Sequence, residues 1–148
     1  MKVKTFLPYA SSTGNTTDQL YDLGVLEDQL YLFYRSGLLI CYNLKSHQEI
    51  YRQKLPDELP KGKYENTSYV VPGNNTFYQL RNGSQGGVML NYDITRKKWN
   101  IVFQTDYRLN SLSIDKDSSI WVSCYMGLWN IDAGLINKQL KFPTQINR

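Results

Sequence analysis

Short runs of alternating apolar and polar residues, separated by polar turns, dominate the chain. In residues 109–114, Leu112 and Ile114 alternate with serines; a polar segment follows, and then the apolar run 120–124. Alternation with a period of two is typical of half-buried β-strands, whereas apolar positions in a helix recur about every 3.6 residues. Turns rich in Asp, Asn, Ser and Gly favour hairpins. The pattern therefore predicts antiparallel strands joined by short turns.

The same strand pattern recurs three times along the 148 residues. In each unit an aromatic strand is followed by a short loop, a glycine and a further strand with a polar end. The aromatic strands begin at Leu30, Phe77 and Ile120, so the units are spaced 47 and 43 residues apart. A repeat of roughly 40–50 residues with four strands in each unit is typical of β-propeller blades.

The repeat sets the predicted organisation of the chain. The predicted strands are 20–26, 29–34, 38–44, 49–55, 68–71, 76–80, 88–94, 98–103, 109–114, 120–124, 128–132 and 138–142. We therefore predict an all-β fold, a β-propeller fragment of about three four-stranded blades that form an incomplete ring. The blades are assigned to 18–55, 64–105 and 106–148, with an inter-blade connection at 56–63 and the last strand of a preceding blade plus its connection at 1–17.

Composition and charge narrow the class further. Alanine occurs twice, whereas tyrosine occurs 12 times, which argues against a helical bundle. The net charge of +4 makes nucleic acid a partner to consider, but the densest basic run, Arg96–Lys98, is assigned to a solvated hairpin turn. We expect no nucleic-acid partner for this segment. No apolar run approaches the roughly 18 residues that span a bilayer, and the first residues lack the apolar core of a signal peptide, so neither segment is expected here.

Catalytic and metal chemistry have little support in the sequence. His47 is the only histidine, and it is assigned to a surface turn. Cys41 and Cys124 lie in apolar runs and are assigned to the core, although a disulfide between them stays an alternative. The Asp115-x-Asp117-x-Ser119 pattern lacks the later Gly and Glu of a calcium loop and is assigned to a hairpin. We therefore predict no catalytic residue, no metal and no cofactor.

Residues 110–128 resemble the two-component regulator propeller repeat. Asp115, Trp121 and the pair Gly127-Leu128 match that family's spacing, whereas Ser118 and Ser123 replace glycines of its pattern. The other two units match more weakly, with tyrosine in place of the tryptophan. The resemblance implies the sensor region of a hybrid histidine kinase of gut bacteria, periplasmic, which recognises an oligosaccharide and signals to kinase and regulator modules that these residues do not include.

The second unit also resembles a kelch blade. Gly86-Gly87 is followed by Tyr92-Asp93 and then by Trp99, with six residues between Tyr92 and Trp99. That resemblance implies a scaffold for protein–protein interaction, which we keep as the alternative function. A propeller enzyme acting on polysaccharides is a third alternative, since Asp and Glu residues are present but nothing in the sequence pairs two of them.

The loops between the second and third strands of the units are the predicted ligand site, because in a propeller they line one mouth of the channel. Tyrosine rings pack on the apolar face of a sugar, and amide or guanidinium donors bond its hydroxyls. The candidate ligand-binding residues are Tyr34, Arg35, Arg81, Asn82 and Tyr125. The competing assignment places Tyr34 and Tyr125 against adjacent blades. Alanine at Arg81 or Tyr125 is expected to weaken binding with little change in melting temperature.

The expected partners follow from this reading. They are a small-molecule or oligosaccharide ligand, and either the remaining propeller blades or another copy of the chain, because unpaired sheet edges invite pairing. The strand-two aromatic residues, Tyr31, Tyr78 and Trp121, are assigned to the packing between blades.

Overall fold

The computed structural model describes residues 18–57, 70–73, 75–84, 86–116, 119–132 and 135–140, and it places β-strands and turns there without a helix. The strands are β1 (Leu20–Leu26), β2 (Gln29–Tyr34), β3 (Leu38–Asn43), β4 (Glu49–Lys54), β5 (Val70–Gly73), β6 (Thr76–Gly83), β7 (Gly86–Asp93), β8 (Lys98–Thr105), β9 (Leu109–Ile114), β10 (Ile120–Cys124), β11 (Gly127–Asp132) and β12 (Leu135–Leu140).

The strands form three sheets of four strands each, and every sheet is an antiparallel meander in chain order. The first sheet holds β1–β4, the second β5–β8 and the third β9–β12. The predicted all-β class with four strands in each repeat is confirmed. The predicted strand at residues 1–17 and most of the connection at 56–63 lie outside the described residues.

Several predicted boundaries are wrong. Strand β6 continues through Arg81 and Asn82 to Gly83, and β7 begins at Gly86, where a long loop was expected. The polar character of these residues suggested a loop, but Arg81 pairs with Val88 across the sheet. Pro72 and Gly73 belong to β5 rather than to a turn; β5 is an edge strand, where a missing N–H is tolerated. Strand β12 lies at Leu135–Leu140, not at 138–142.

The turns between the third and fourth strands share one design in the first two sheets. The Oδ1 atoms of Asn43 and Asp93 each accept a hydrogen bond of 2.9 Å from the backbone N–H three residues later. The residue after that has positive φ, 56° at His47 and 52° at Lys97. Short polar side chains that bond to the local backbone favour such turns. The basic run at Arg96–Lys98 is exposed there, as predicted.

The chain divides into two compact units between Lys54 and Leu55. In the first unit, one face of the first sheet forms a buried apolar cluster of Leu32, Tyr34, Leu38, Ile40 and Tyr42. In the second unit, the second and third sheets pack face to face.

The core of the second unit joins the two sheets through side chains from both. Leu80, Met89 and Phe103 of the second sheet pack against a larger set from the third, Leu109, Leu112, Ile120, Val122, Cys124, Trp129 and Ile131. The rings of Phe103 and Trp129 lie 5.0 Å apart at 55°, a tilted aromatic contact that adds to the burial. Cys41 and Cys124 are buried free thiols, as predicted.

The strand-two aromatic residues are not equally buried. Tyr31 is buried, Tyr78 is half-buried against the core of the second unit, and Trp121 is half-buried. No helix among the described residues is long and apolar enough to cross a membrane.

Candidate functional site

One end of the second unit collects three connections between strands. Because each sheet is an antiparallel meander, the β6–β7 hairpin and the end of β8 lie at the same end of the second sheet. The start of β9 and the β10–β11 hairpin lie at one end of the third sheet. Only residues 106–108 connect β8 to β9, so these two ends are adjacent. We call the described, exposed residues of this end the loop face: Ser84, Asp106, Tyr107, Arg108, Tyr125 and Met126.

Asn82 holds the two sheets together beneath the loop face. Its Nδ2 donates to the backbone oxygen of Leu109 at 2.8 Å, and its Oδ1 accepts from the backbone N–H of Leu109 at 2.7 Å. The side-chain amide therefore pairs with Leu109 as a neighbouring strand would. Asn82 is 3% exposed, so both bonds are shielded from water and fix the start of β9.

Gly86 and Gly87 let the β8–β9 connection pass close to the β6–β7 hairpin. Gly86 has a φ of +117°, and a Cβ there would lie 2.1 Å from the backbone oxygen of Thr105. A Cβ on Gly87 would lie 2.6 Å from Cγ of Leu109 and 2.7 Å from Oδ1 of Asn82. Any side chain at either position would displace the connection that carries the exposed residues of the loop face.

The loop face presents large side chains to solvent. Tyr125 is 89% exposed, Met126 is 49% exposed and Tyr107 is 43% exposed. Both tyrosines sit next to hydrogen-bonded backbone: the N–H of Tyr107 donates to Oγ1 of Thr105 at 3.3 Å, and that of Met126 donates to Sγ of Cys124 at 3.2 Å. Both aromatic rings therefore lie on short connections whose backbone is held by hydrogen bonds. This arrangement suits contact with a ligand.

The first unit has a related hairpin end of its own. The N–H of Arg35 donates to the backbone oxygen of Gln19 at 2.8 Å, and its Nη1 donates to Oε1 of the same residue at 3.4 Å. Ser36 bonds through its N–H and its hydroxyl to the Asp18 carboxylate. The residues before β1 are thus tied to the β2–β3 hairpin, and Arg35 is exposed there.

The structure separates the predicted ligand-binding residues into two groups. Arg35 and Tyr125 are exposed at hairpin tips. Tyr34 is buried in the apolar cluster of the first sheet. Arg81 and Asn82 lie in β6 and are buried, so their assignment to a loop is wrong. The ligand-binding role of all five stays a prediction.

Arg81 belongs to a buried polar pair that the sequence did not reveal. The side chain is 1% exposed, and its Nε donates to Oε1 of Gln79 at 2.9 Å. Gln79 is fully buried, and its Nε2 finds no hydrogen-bond partner. Truncation of Arg81 would leave a buried amide without that bond, so we now expect Arg81→Ala to lower the melting temperature.

Tyr107 and Arg108 were missed in the sequence. The signal was available: in a meander of four strands, the connection to the next sheet leaves from the same end as the hairpin between the second and third strands.

No three His, Cys, Asp or Glu side chains of the described chain come together as a metal site would require. At the predicted hairpin 115–119, the N–H of Asp115 donates to the backbone oxygen of Ser119 at 2.9 Å.

Comparison with known proteins gives structural likeness only. No protein-family model matches the sequence, and no curated protein matches it. Among solved structures, the extracellular domain of a protein assigned as a one-component system, BT4673 of B. thetaiotaomicron, is similar with a TM-score of 0.57 and 17% identity. The match covers 96% of this chain and 18% of that domain. BamB of Moraxella catarrhalis matches with a TM-score of 0.40 and 12% identity, over 90% of this chain and 54% of BamB.

The similarity to the BT4673 extracellular domain concerns the fold. At 17% identity it shows a shared architecture and nothing of the ligand. Together with the three four-stranded meanders, it shows that the chain has the fold of a β-propeller, and that it spans less than a fifth of the length of the similar extracellular domain.

Proposed function

We propose that this chain is part of a sensor propeller and that its loop face binds an oligosaccharide. The observation that carries the proposal is the exposure of Tyr125, a residue that is 89% exposed on a two-residue hairpin. A tyrosine on a short turn offers a large amphipathic contact area and loses little conformational entropy on binding.

The chemistry of the loop face suits a sugar. The rings of Tyr125 and Tyr107 can pack on the apolar C–H face of a pyranose. The neighbouring Arg108 guanidinium and the Ser84 hydroxyl supply hydrogen-bond donors for ring hydroxyls. Asn82 and Gly86 support the loop face indirectly, because they position the connection that carries Tyr107.

The setting of the proposed sensor rests on two likenesses. The structural neighbour is the extracellular domain of a protein assigned as a one-component system, and residues 110–128 resemble the two-component regulator propeller repeat. We propose on this basis a periplasmic or extracellular location and signalling to kinase or regulator modules outside these residues. In this proposal the chain binds its ligand and carries out no reaction.

The direct test is calorimetric titration with soluble oligosaccharides of the cello-, xylo-, manno- and galacturono- series. We expect the full chain to bind at least one series. Tyr125→Ala should weaken that binding about ten-fold or more, since a stacked aromatic contributes on the order of 1–2 kcal/mol. Its melting temperature should stay within about 1 °C, because the ring contacts little protein.

Lys97→Ala is the matched control, because Lys97 is exposed at the opposite end of the second sheet. It should leave oligosaccharide binding unchanged. If Lys97→Ala lowered oligosaccharide binding as much as Tyr125→Ala does, the loop face would not be the ligand site. Absence of binding by every series would reject the sugar as the ligand.

A kelch-like scaffold is the second candidate, and one observation favours it. Tyr92 and Trp99 are cross-strand partners with ring centroids 5.0 Å apart, as the kelch resemblance of this unit implies. In that case Tyr125 and Met126 would contact a protein, since both residue types are common in the centres of interfaces. This function would be selected if the unmodified chain bound no oligosaccharide and Tyr125→Ala lost a protein partner that the unmodified chain binds.

A further inference from the structure

Asn82 and Gly83, at the end of β6, form a sequence pair with a reactivity of its own. Asn82 is the only asparagine of the 148 residues that a glycine follows. Asparagine is thermolabile, because the backbone nitrogen of the next residue can attack its side-chain amide carbon. Glycine in that next position favours the attack, since it has no side chain to hinder the approach and adopts the required backbone rotations freely. In the unfolded chain, this pair is therefore the expected site of the fastest deamidation.

The reaction needs no partner other than water. The Gly83 nitrogen bonds to Cγ of Asn82 while the bond between Cγ and Nδ2 breaks, which closes a succinimide ring. The departing nitrogen takes up, by way of water, the proton that the Gly83 nitrogen loses, and it leaves as ammonia. A water molecule then adds to one of the two ring carbonyls and opens the ring. The product carries either an aspartate side chain or an isoaspartyl link, in which the backbone runs through Cβ and Cγ.

The folded chain keeps the reacting groups in an unreactive arrangement. Nδ2 of Asn82 donates to the backbone oxygen of Leu109 at 2.8 Å, and Oδ1 accepts from the backbone N–H of Leu109 at 2.7 Å. In the sheet, Asn82 pairs with Gly87 and Gly83 pairs with Gly86, so the backbone on both sides of the reacting bond is extended. Attack at Cγ requires the amide to leave Leu109 and to turn toward the Gly83 nitrogen.

The packing around the amide opposes that rotation. Asn82 is 3% exposed and Leu109 is fully buried, so the water that the reaction needs has little access. A Cβ on Gly87 would lie 2.7 Å from Oδ1 of Asn82, which shows that the amide has no free space on that side. The reaction therefore requires this end of the two sheets to open, and the free energy of opening sets its rate.

We propose that Asn82-Gly83 is a latent deamidation site, which its bonds to Leu109 keep unreactive in the folded protein and which reacts when β6 separates from the start of β9. Separation can be local as well as global, because hairpin ends open at a lower free energy than core strands. The next residue along the hairpin, Ser84, is already exposed. The site is independent of whatever ligand the loop face binds.

The products do not restore the contact with Leu109. Aspartate only accepts hydrogen bonds when ionised, so it loses the donor that Nδ2 supplies and places a carboxylate oxygen against the Leu109 carbonyl oxygen. An ionised group in this buried place is unfavourable. The isoaspartyl link lengthens the backbone of β6 by one carbon and disrupts the pairing of Gly83 with Gly86. Deamidation is therefore a one-way change, after which the two sheets are no longer joined at this point.

The test follows the conversion of Asn82 by peptide mass spectrometry in the full 148-residue chain, incubated at mildly alkaline pH with and without denaturing urea. The matched control is the same chain with Arg96→Asn and Lys97→Gly, which creates a second Asn-Gly pair in an exposed turn. Lys97 has a φ of 52°, which suits glycine. In urea the two pairs should react at similar rates.

Without urea, Asn82 should react about 100-fold more slowly than in urea, and the pair in the exposed turn less than about ten-fold more slowly. Equal protection of the two pairs would overturn the proposal, because the bonds to Leu109 would then not be its cause. Conversion of Asn82 at the same rate with and without urea would overturn it as well.

A second measurement tests the one-way character of the change. Asn82→Asp carries the aspartate product directly, and Asn110→Asp adds the same charge at an exposed position of β9. We expect Asn82→Asp to lower the urea midpoint by about 1 M or more, or to prevent folding, and Asn110→Asp to leave the midpoint nearly unchanged. Equal midpoints of the two variants would contradict a one-way change.

Discussion

Asn82 shows how a single side chain can join two sheets of this fold. Its amide exchanges two hydrogen bonds with the backbone of Leu109, 27 residues away in the sequence. Neither partner has access to water to replace these bonds. In the first and third sheets the equivalent positions, Arg35 and Tyr125, are exposed instead. The second repeat therefore buries a position that the other two repeats expose.

Removing this amide should destabilise the second unit strongly. Asn82→Ala leaves a buried N–H and a buried carbonyl oxygen of Leu109 unpaired, which costs about 2–4 kcal/mol. Urea denaturation measures the loss in the free energy of unfolding. Asn110→Ala, at an exposed position of the same strand as Leu109, is the control and should change stability by less than about 0.5 kcal/mol. Equal effects of the two variants would contradict the role given to Asn82.

At the residue scale, the sequence predicts exposure well where a short hairpin turn sets it. Tyr125 and Arg35 were expected at hairpin tips and lie there. Arg81 and Asn82 were expected on the surface because arginine and asparagine are seldom buried. Asn82 is buried with its partner Leu109, 27 residues away, which local sequence does not reveal. Arg81 bonds to Gln79, two residues earlier in the same strand, and the continuation of β6 past Leu80 keeps it in the sheet.

Among the elements, the β6–β7 hairpin and the β8–β9 connection are the most tightly fitted pair. Gly86→Ala should destabilise the fold by about 3 kcal/mol or more, because the new Cβ would meet the backbone oxygen of Thr105 and the backbone has a φ that favours glycine. Thermal unfolding followed by circular dichroism measures the effect. Ser84→Ala, in the same hairpin but exposed, should leave the midpoint nearly unchanged. A harmless Gly86→Ala would show that the connection is looser than described.

Strand β4 carries an ion pair whose effect depends on pH. Arg52 donates to the Glu49 carboxylate through Nε at 2.7 Å and through Nη2 at 2.6 Å. This hydrogen bonding, aided by the attraction of the guanidinium charge and opposed by burial, lowers the pKa of Glu49. Because the folded-state pKa lies below the unfolded one, the stabilisation is complete above the unfolded pKa and is lost as the pH falls through the folded pKa.

Glu49→Gln should therefore cost stability at pH 7, and the cost should shrink as the pH falls through the pKa of Glu49 in the folded protein. The loss at pH 7 should be small, about 0.2–1 kcal/mol, since the pair is partly exposed. Urea denaturation at pH 7 and at pH 3 measures it. Glu27→Gln, at an exposed turn, is the control. A difference between wild type and Glu49→Gln that persists unchanged at pH 3 would contradict this account.

The elements themselves were largely predictable because their signals are local. Strands β1, β2, β9 and β10 have the predicted bounds, set by alternation and by turn residues on either side. The errors fall where a strand continues through polar residues, as in β6, or through Pro72 and Gly73, as in β5. In both places the pairing of a whole sheet outweighs the local preference of the residues.

On the scale of the whole molecule, the repeat explains which faces of the sheets pack against each other. Each sheet is the same meander, and the packing of the second sheet on the third shows how one repeat covers the next. The period of the aromatic strands was sufficient to predict this architecture. The sequence analysis overlooked that the connection between two sheets, 106–108, lies at the same end as the β10–β11 hairpin, although the alternating strand direction of the predicted meander implies it.

The most direct test of the proposed sensor is a map of the ligand on the whole chain. Backbone amide NMR spectra of the ¹⁵N-labelled protein would be recorded with and without the oligosaccharide series that binds most tightly. We expect shifts to concentrate at Tyr107, Arg108, Tyr125 and Met126 and to leave residues 94–97, at the opposite end of the second sheet, unmoved. Shifts centred on residues 94–97, or spread evenly over the strands, would contradict the assignment of the loop face as the ligand site.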